Sequence, residues 1–86
     1  MKVAYAVSLK RSAEKELERF PSPLHDRIID RLLALQHNPR PPGAKKLRGR
    51  EGYRIRVGDY RILYTVDERE KVVEVFSIAH RKEVYR

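Results

Sequence analysis

The chain reads as an α+β domain in the order β-α-α-β-β-β, an antiparallel helical pair packed on one face of a curled, mainly antiparallel four-stranded sheet. Three observations predict it. Two alternating runs rich in β-branched and aromatic residues flank Gly58-Asp59, which is the pattern of a hairpin. Two stretches with apolar residues at helical spacing come before them, parted by Pro21. Helices and strands fall in separate blocks, which gives a layered arrangement rather than βαβ units. The 86 residues allow one core, so residues 1–86 form a single domain.

Lys2 to Val7 alternates, with Val3, Tyr5 and Val7 on one side, and predicts the first strand. Ser8 is placed to cap a helix beginning near Leu9, with Leu9, Ala13, Leu17 and Phe20 as its apolar stripe. Pro21 ends it. Ser22 is placed to cap a second helix with Pro23 at the first helical position. There Leu24, Ile28, Leu32 and Leu35 form the stripe, widened by Ile29 and Leu33, until Asn38-Pro39 stops it. Asn38 to Ala44 holds three prolines and a glycine and reads as a stiff connection. Lys45-Lys46-Leu47 leads into the hairpin. Asp67 to Lys71 is a polar turn, and Val72 to Ala79 is the last strand. Strict alternation puts Val72, Glu74, Phe76 and Ile78 on one side of it and Val73, Val75, Ser77 and Ala79 on the other. Apolar residues on both sides predict a central strand.

A two-residue loop at Gly58-Asp59 fixes the hairpin register. Val57 falls opposite Tyr60, Arg56 opposite Arg61, Ile55 opposite Ile62, Arg54 opposite Leu63 and Tyr53 opposite Tyr64. The Tyr/Ile/Val face should meet the helices, which leaves Arg54, Arg56 and Arg61 on the open face. Like charges directly opposite one another are unfavourable on a sheet. Two explanations stand: a solvated outer face in a basic protein, or a face on which an anion sits.

Charge favours an anionic partner. Lys plus Arg number 20 against 12 Asp plus Glu, a net charge of +8. From Arg40 to Arg61 there are eight basic residues and two acidic ones, the electrostatic footprint of a nucleic-acid binder. No helix combines a bulky apolar face with a purely basic one, which argues against a membrane surface. No apolar run is long enough to span a membrane and no signal-peptide stretch opens the chain, so a cytoplasmic protein is expected.

The chain has no cysteine and no close pair of histidines, so neither a disulfide nor a metal site is expected, and no cofactor is implied. His25 and His37 read as ordinary helical histidines. Ser8, Ser12 and Ser22 read as caps rather than nucleophiles. Arginine holds phosphate bidentately and keeps its charge. A group of arginines therefore suits phosphoryl transfer, where charge builds on non-bridging oxygens. RNA supplies its own nucleophile, the 2′-OH.

The hairpin YRIRVGDYRILY, the strand after it and the ending HRKEVYR resemble the RelE/ParE superfamily of toxins from type II toxin–antitoxin modules. So do the lead-in Lys46-Leu47-Arg48-Gly49 and the connector PRPPGAKKL. The similarity runs over essentially the whole chain. In the RelE branch it implies a ribosome-dependent mRNA endonuclease (an mRNA interferase) that cuts A-site mRNA by 2′-OH attack without metal. The positions it implies are Arg54 and Arg56 before the turn, Arg61 after it, Arg81 after the last strand, and Tyr85. Arg56 and Arg61 would stabilise the transition-state phosphate. Arg81 would clamp a phosphate. Tyr85 would stack on a base or move a proton, though a tyrosine with its usual pKa near 10 is a poor base at neutral pH. Lys45, Lys46, Arg48 and Arg54 would bind RNA backbone. His80 has a better pKa for proton transfer, but strand parity sets it opposite Arg81. The best-known member has lysines where Arg54 and Arg56 stand. Guanidinium keeps the clamp but is not readily deprotonated, which leaves the general base open.

The ParE branch shares the fold and is held to poison DNA gyrase by protein contact. A third possibility is an RNA-binding member without chemistry. Only the first reading predicts cleaved RNA with cyclic-phosphate ends. The resemblance also implies a cognate RelB-like antitoxin, an acidic, partly disordered chain that folds on binding as an amphipathic helix and forms a hetero-oligomer with the toxin.

Overall fold

The computed structural model describes residues 4–80. Its elements are β1 (Ala6–Leu9), α1 (Arg11–Glu18), α2 (Ser22–Leu35), β2 (Lys45–Lys46), β3 (Tyr53–Val57), β4 (Tyr60–Asp67) and β5 (Val72–His80). The β3–β4 hairpin has the register its apolar face demands, with all five residue pairs as expected from the sequence. Gly58 takes φ 60°. A left-handed residue at the first loop position is what a type II′ turn needs.

The strands form one sheet in the order β1-β5-β4-β3-β2. β1 runs parallel to β5, and every other pair is antiparallel. The sheet has five strands rather than the expected four. Lys45 and Lys46 pair with Arg54 and Tyr53, a strand too short to show alternation. β5 is central, as its two apolar sides imply. One face of the sheet carries the helices. Ile55, Val57, Ile62, Tyr64, Val73, Val75 and Ile78 are buried there against Ala13 and Leu17 of α1 and Ile28, Leu32 and Leu35 of α2.

The helix starts depart from expectation. Of the expected first strand, Lys2 and Val3 lie outside the described residues and Ala4 and Tyr5 are not paired in it; the strand is Ala6–Leu9, so Ser8 and Leu9 belong to it. α1 begins at Arg11, and Lys10 at its N-cap makes no side-chain bond. The Lys10 N–H donates to the Val75 carbonyl at 2.8 Å, so pairing with β5 holds the chain extended past the point where Ser8 would have capped. Pro21, with φ −65° and ψ 157°, already supplies the extended residue before α2. Ser22 therefore opens that helix instead of capping it, and Pro23 takes its second position. Leu33, expected to widen the α2 stripe, is 52% exposed, and His37 lies just past the helix end.

β5 also breaks the expected alternation. Tyr64 pairs with Val75 and Leu63 with Ser77, so Phe76 is an extra residue, a β-bulge. The bulge switches parity. Val73, Val75 and Ile78 face the helices, Ser77 and Ala79 share the open face with Leu63 and Arg61, and Phe76 is not packed against the core. β1 ends at Leu9, opposite Val75. Beyond it the Ile78 N–H donates to a Glu16 carboxylate oxygen at 2.9 Å, so α1 satisfies an amide that β1 does not reach.

Candidate nucleic-acid interface

The open face of the hairpin brings its basic residues together. Arg56 and Arg61 are directly opposite, Arg54 lies next to Lys45 across β2–β3, and Leu63 completes the Arg54 row. Gly43, Lys45, Arg54, Ile55, Arg56 and Arg61 line a depression of about 90 Å³. Its four cationic side chains suit a tetrahedral oxyanion such as a phosphate. Arg56 is exposed, Arg54 half-buried and Arg61 only 9% exposed. The backbone fixes Arg61 in this seat, because β4 has β3 on one side and β5 on the other.

Beyond the hairpin, Arg27 of α2 sets its guanidinium 3.8 to 3.9 Å from where a side chain on Gly58 would begin. The basic surface thus continues round the hairpin tip. Acidic partners gather elsewhere. Glu68 accepts a hydrogen bond from the Tyr5 hydroxyl at 2.7 Å and pairs with Arg40 at 2.5 Å and Lys71 at 3.9 Å. The Tyr5 and Arg40 hydrogen bonds hold the Glu68 carboxyl below the usual range, and the hydrogen bond to Glu68 raises the Arg40 guanidinium.

The structure gathers only part of the expected set. Lys45, Arg54, Arg56 and Arg61 meet at the depression. Lys46 pairs with Tyr53 and lines a separate groove of about 420 Å³ with Arg40, Arg50 and Glu68. Arg48 is exposed in the loop between β2 and β3. His80 sits opposite Tyr60, whose ring contacts Phe20, and its own ring meets Tyr60 edge-on at 5.3 Å. It is thus on the helix side, away from the arginines. Arg81 and Tyr85 lie outside the described residues. Two features escaped the sequence. Gly43 forms part of the rim, and Arg50 lays its guanidinium over the Phe76 ring, 4.1 Å from the centroid. Charge density hinted at Arg50, but nothing local revealed the bulge that turns Phe76 outward.

Residues 7–85 match the family model described as ParE toxin of type II toxin-antitoxin system, parDE. The chain belongs to the RelE/ParE superfamily of type II toxins. It is 31% identical over 84 residues to Toxin RelE of Mycobacterium tuberculosis, covering 95% of this chain and 87% of that protein. The isolated RelE toxin of E. coli superposes with a TM-score of 0.79 at 31% identity, over 95% of this chain and 92% of that one. The toxin–antitoxin complex RelBE2 of M. tuberculosis gives 0.81 at 25% identity, over 94% and 95%. The protein is a RelE-like toxin of a type II toxin–antitoxin module.

Proposed function

We propose that this RelE-like toxin is a ribosome-dependent endoribonuclease that cuts mRNA in the A site and so stops translation. The observation that carries the reading is the depression shared by Arg54, Arg56, Arg61 and Lys45. In this reading a scissile phosphate sits in it. The 2′-oxygen of the preceding ribose bonds to phosphorus and its proton leaves. The bond to the 5′-oxygen breaks, and that oxygen takes up a proton. The products are a 2′,3′-cyclic phosphate and a 5′-hydroxyl. Arg56 and Arg61 neutralise the charge that builds on the non-bridging oxygens, while Arg54 and Lys45 hold flanking backbone. Arg81 clamps a phosphate and Tyr85 stacks on a base or relays a proton. His80, placed on the helix side, is left out of the chemistry. No metal takes part in this scheme.

The partners follow from the same reading: mRNA and the ribosome in the cytoplasm, and a RelB-like antitoxin whose acidic helix covers basic surface. The test is cleavage of a defined mRNA in the A site of purified ribosomes. Wild type should cut within the A-site codon and leave a cyclic phosphate, and Arg61→Ala should slow cutting by about a hundredfold or more, the usual loss for a transition-state donor. Intact mRNA at saturating protein would end this reading. The match to a model described as ParE makes inhibition of DNA gyrase by protein contact the second reading, and a supercoiling assay with gyrase decides it.

A further inference from the structure

The arginine depression accounts for a phosphate and leaves the neighbouring base without a seat. Arg50, which lines the Lys46 groove, also reaches over Phe76 of β5, and the nuclease reading leaves this stack unused. Phe76 is the bulged residue of β5, next to the row formed by Arg54, Leu63 and Ser77. That row adjoins the row of Arg56, Arg61 and Ala79, and successive rows on one sheet face are about 7 Å apart. Arg50 is exposed, so the stack is presented to solvent, one strand across and one to two rows along from Arg61, roughly 8 to 11 Å away, within reach of a neighbouring nucleotide.

We propose that Arg50 and Phe76 form a nucleobase-stacking subsite for the nucleotide next to the phosphate held by Arg56 and Arg61. The proposal rests on the RNA reading above and adds to it where a base goes. Both a guanidinium plane and an aromatic ring stack on bases, and here the first is already ordered on the second. Carboxylates stand near the Arg50 guanidinium at this end of the face and offset part of its charge. Glu51 follows Arg50 in the chain, and Glu74 stands opposite Thr65 one row further on. With that offset, the aromatic ring and guanidinium plane present a stacking surface to a neutral base. The subsite is sequence-tolerant by nature, because every base has a π-face, and it sets which nucleotide is presented rather than which letter is read.

The experiment uses ribosomes programmed with mRNAs that carry a single abasic nucleotide at each position in and beside the A-site codon. Wild type is compared with Phe76→Leu, Arg50→Ala and Phe76→Trp. The expected result is that Phe76→Leu and Arg50→Ala slow cleavage of intact mRNA by about five- to a hundredfold, the range for one base stack. One abasic position should slow wild type by a similar factor and leave Phe76→Leu at its own rate. Phe76→Trp should cut like wild type. A purely structural role would lower the melting temperature while leaving each variant as sensitive to the abasic position as wild type. That outcome overturns the proposal and hands the Phe76 surface to a protein partner. If wild type cuts no mRNA, the nuclease reading fails separately. Quenching of 2-aminopurine in a single-stranded RNA added to the intact protein then decides the subsite, and fluorescence equal in wild type and Phe76→Leu overturns it.

Discussion

Arg56 and Arg61 stand directly opposite each other on β3 and β4, two like charges on one open sheet face. Such a pair destabilises a sheet by a few tenths to about 1 kcal/mol. A stability cost of this kind is tolerated where function uses the residues. Replacing the exposed Arg56 by threonine, a good strand former, removes the repulsion. The Arg56→Thr variant should be as stable as wild type or more so by about 0.5 kcal/mol, while cutting A-site mRNA about a hundredfold more slowly. Urea unfolding and a cleavage time course read the two quantities. Lower stability together with full activity would contradict the trade.

The loop that carries Arg50 depends on Gly52. This residue has φ 131°, and a Cβ there would lie 2.7 Å from the Tyr64 carbonyl oxygen and 3.1 Å from Leu47. The Leu47 N–H also bonds to the Gly52 carbonyl at 3.0 Å and closes the loop. Gly49, at φ 74°, has open space where its Cβ would be. Gly52→Ala should therefore cost about 2–3 kcal/mol, from backbone strain and a clash with main chain that cannot move aside. Gly49→Ala should cost about 1 kcal/mol, from the left-handed conformation alone. Denaturant unfolding of the two variants side by side measures the difference.

The hairpin was readable because a two-residue loop and an apolar face both specify the same register. The sequence alone therefore puts Arg54, Arg56 and Arg61 on one face. Other features depend on distant partners. Ser8 has the chemistry of a cap, but Val75 holds the next residues in the sheet. Lys45 and Lys46 become a strand only because Arg54 and Tyr53 lie beside them. Alternation puts Phe76 and Ile78 on one face, and the bulge separates them. Lys45 and Lys46 part company because adjacent strand residues point to opposite faces.

Glu68 ties the start of the chain to the connector before β2, through Tyr5 and Arg40. Its carboxyl is held below the usual range, first by the Tyr5 hydrogen bond and then by Arg40. A depressed carboxyl contributes stability that is present above its unfolded pKa and is lost as pH falls through the folded one. Wild type should therefore melt at progressively lower temperature as pH drops below about 4.3, the unperturbed glutamate value. Glu68→Gln keeps the shape without the charge. It should melt below wild type at neutral pH and converge with it in acid. Melting curves from about pH 3 to 7 test this, and parallel curves would show that the Glu68 charge adds nothing to the fold.

Tyr64 supplies the opposite limb of the pH profile. Its ring is fully buried, and its hydroxyl donates to the Pro39 carbonyl at 2.7 Å, pinning the proline-rich connector over the sheet. Burial, helped by Tyr53 and opposed by Arg40, pushes the phenol from 10.0 up to about 12. The unfolded chain loses this proton first, so stability is complete below the unfolded pKa and declines as pH rises through the folded one. At neutral pH, Tyr64→Phe should be less stable by about 1–2 kcal/mol, because the buried Pro39 carbonyl loses its donor. Above the unfolded pKa, wild type should weaken faster than the phenylalanine variant, and the gap between them should close toward about pH 12. Urea unfolding of both proteins from about pH 8 to 11 follows the closing gap. A constant difference across that range would mean that the buried hydroxyl titrates like one in water.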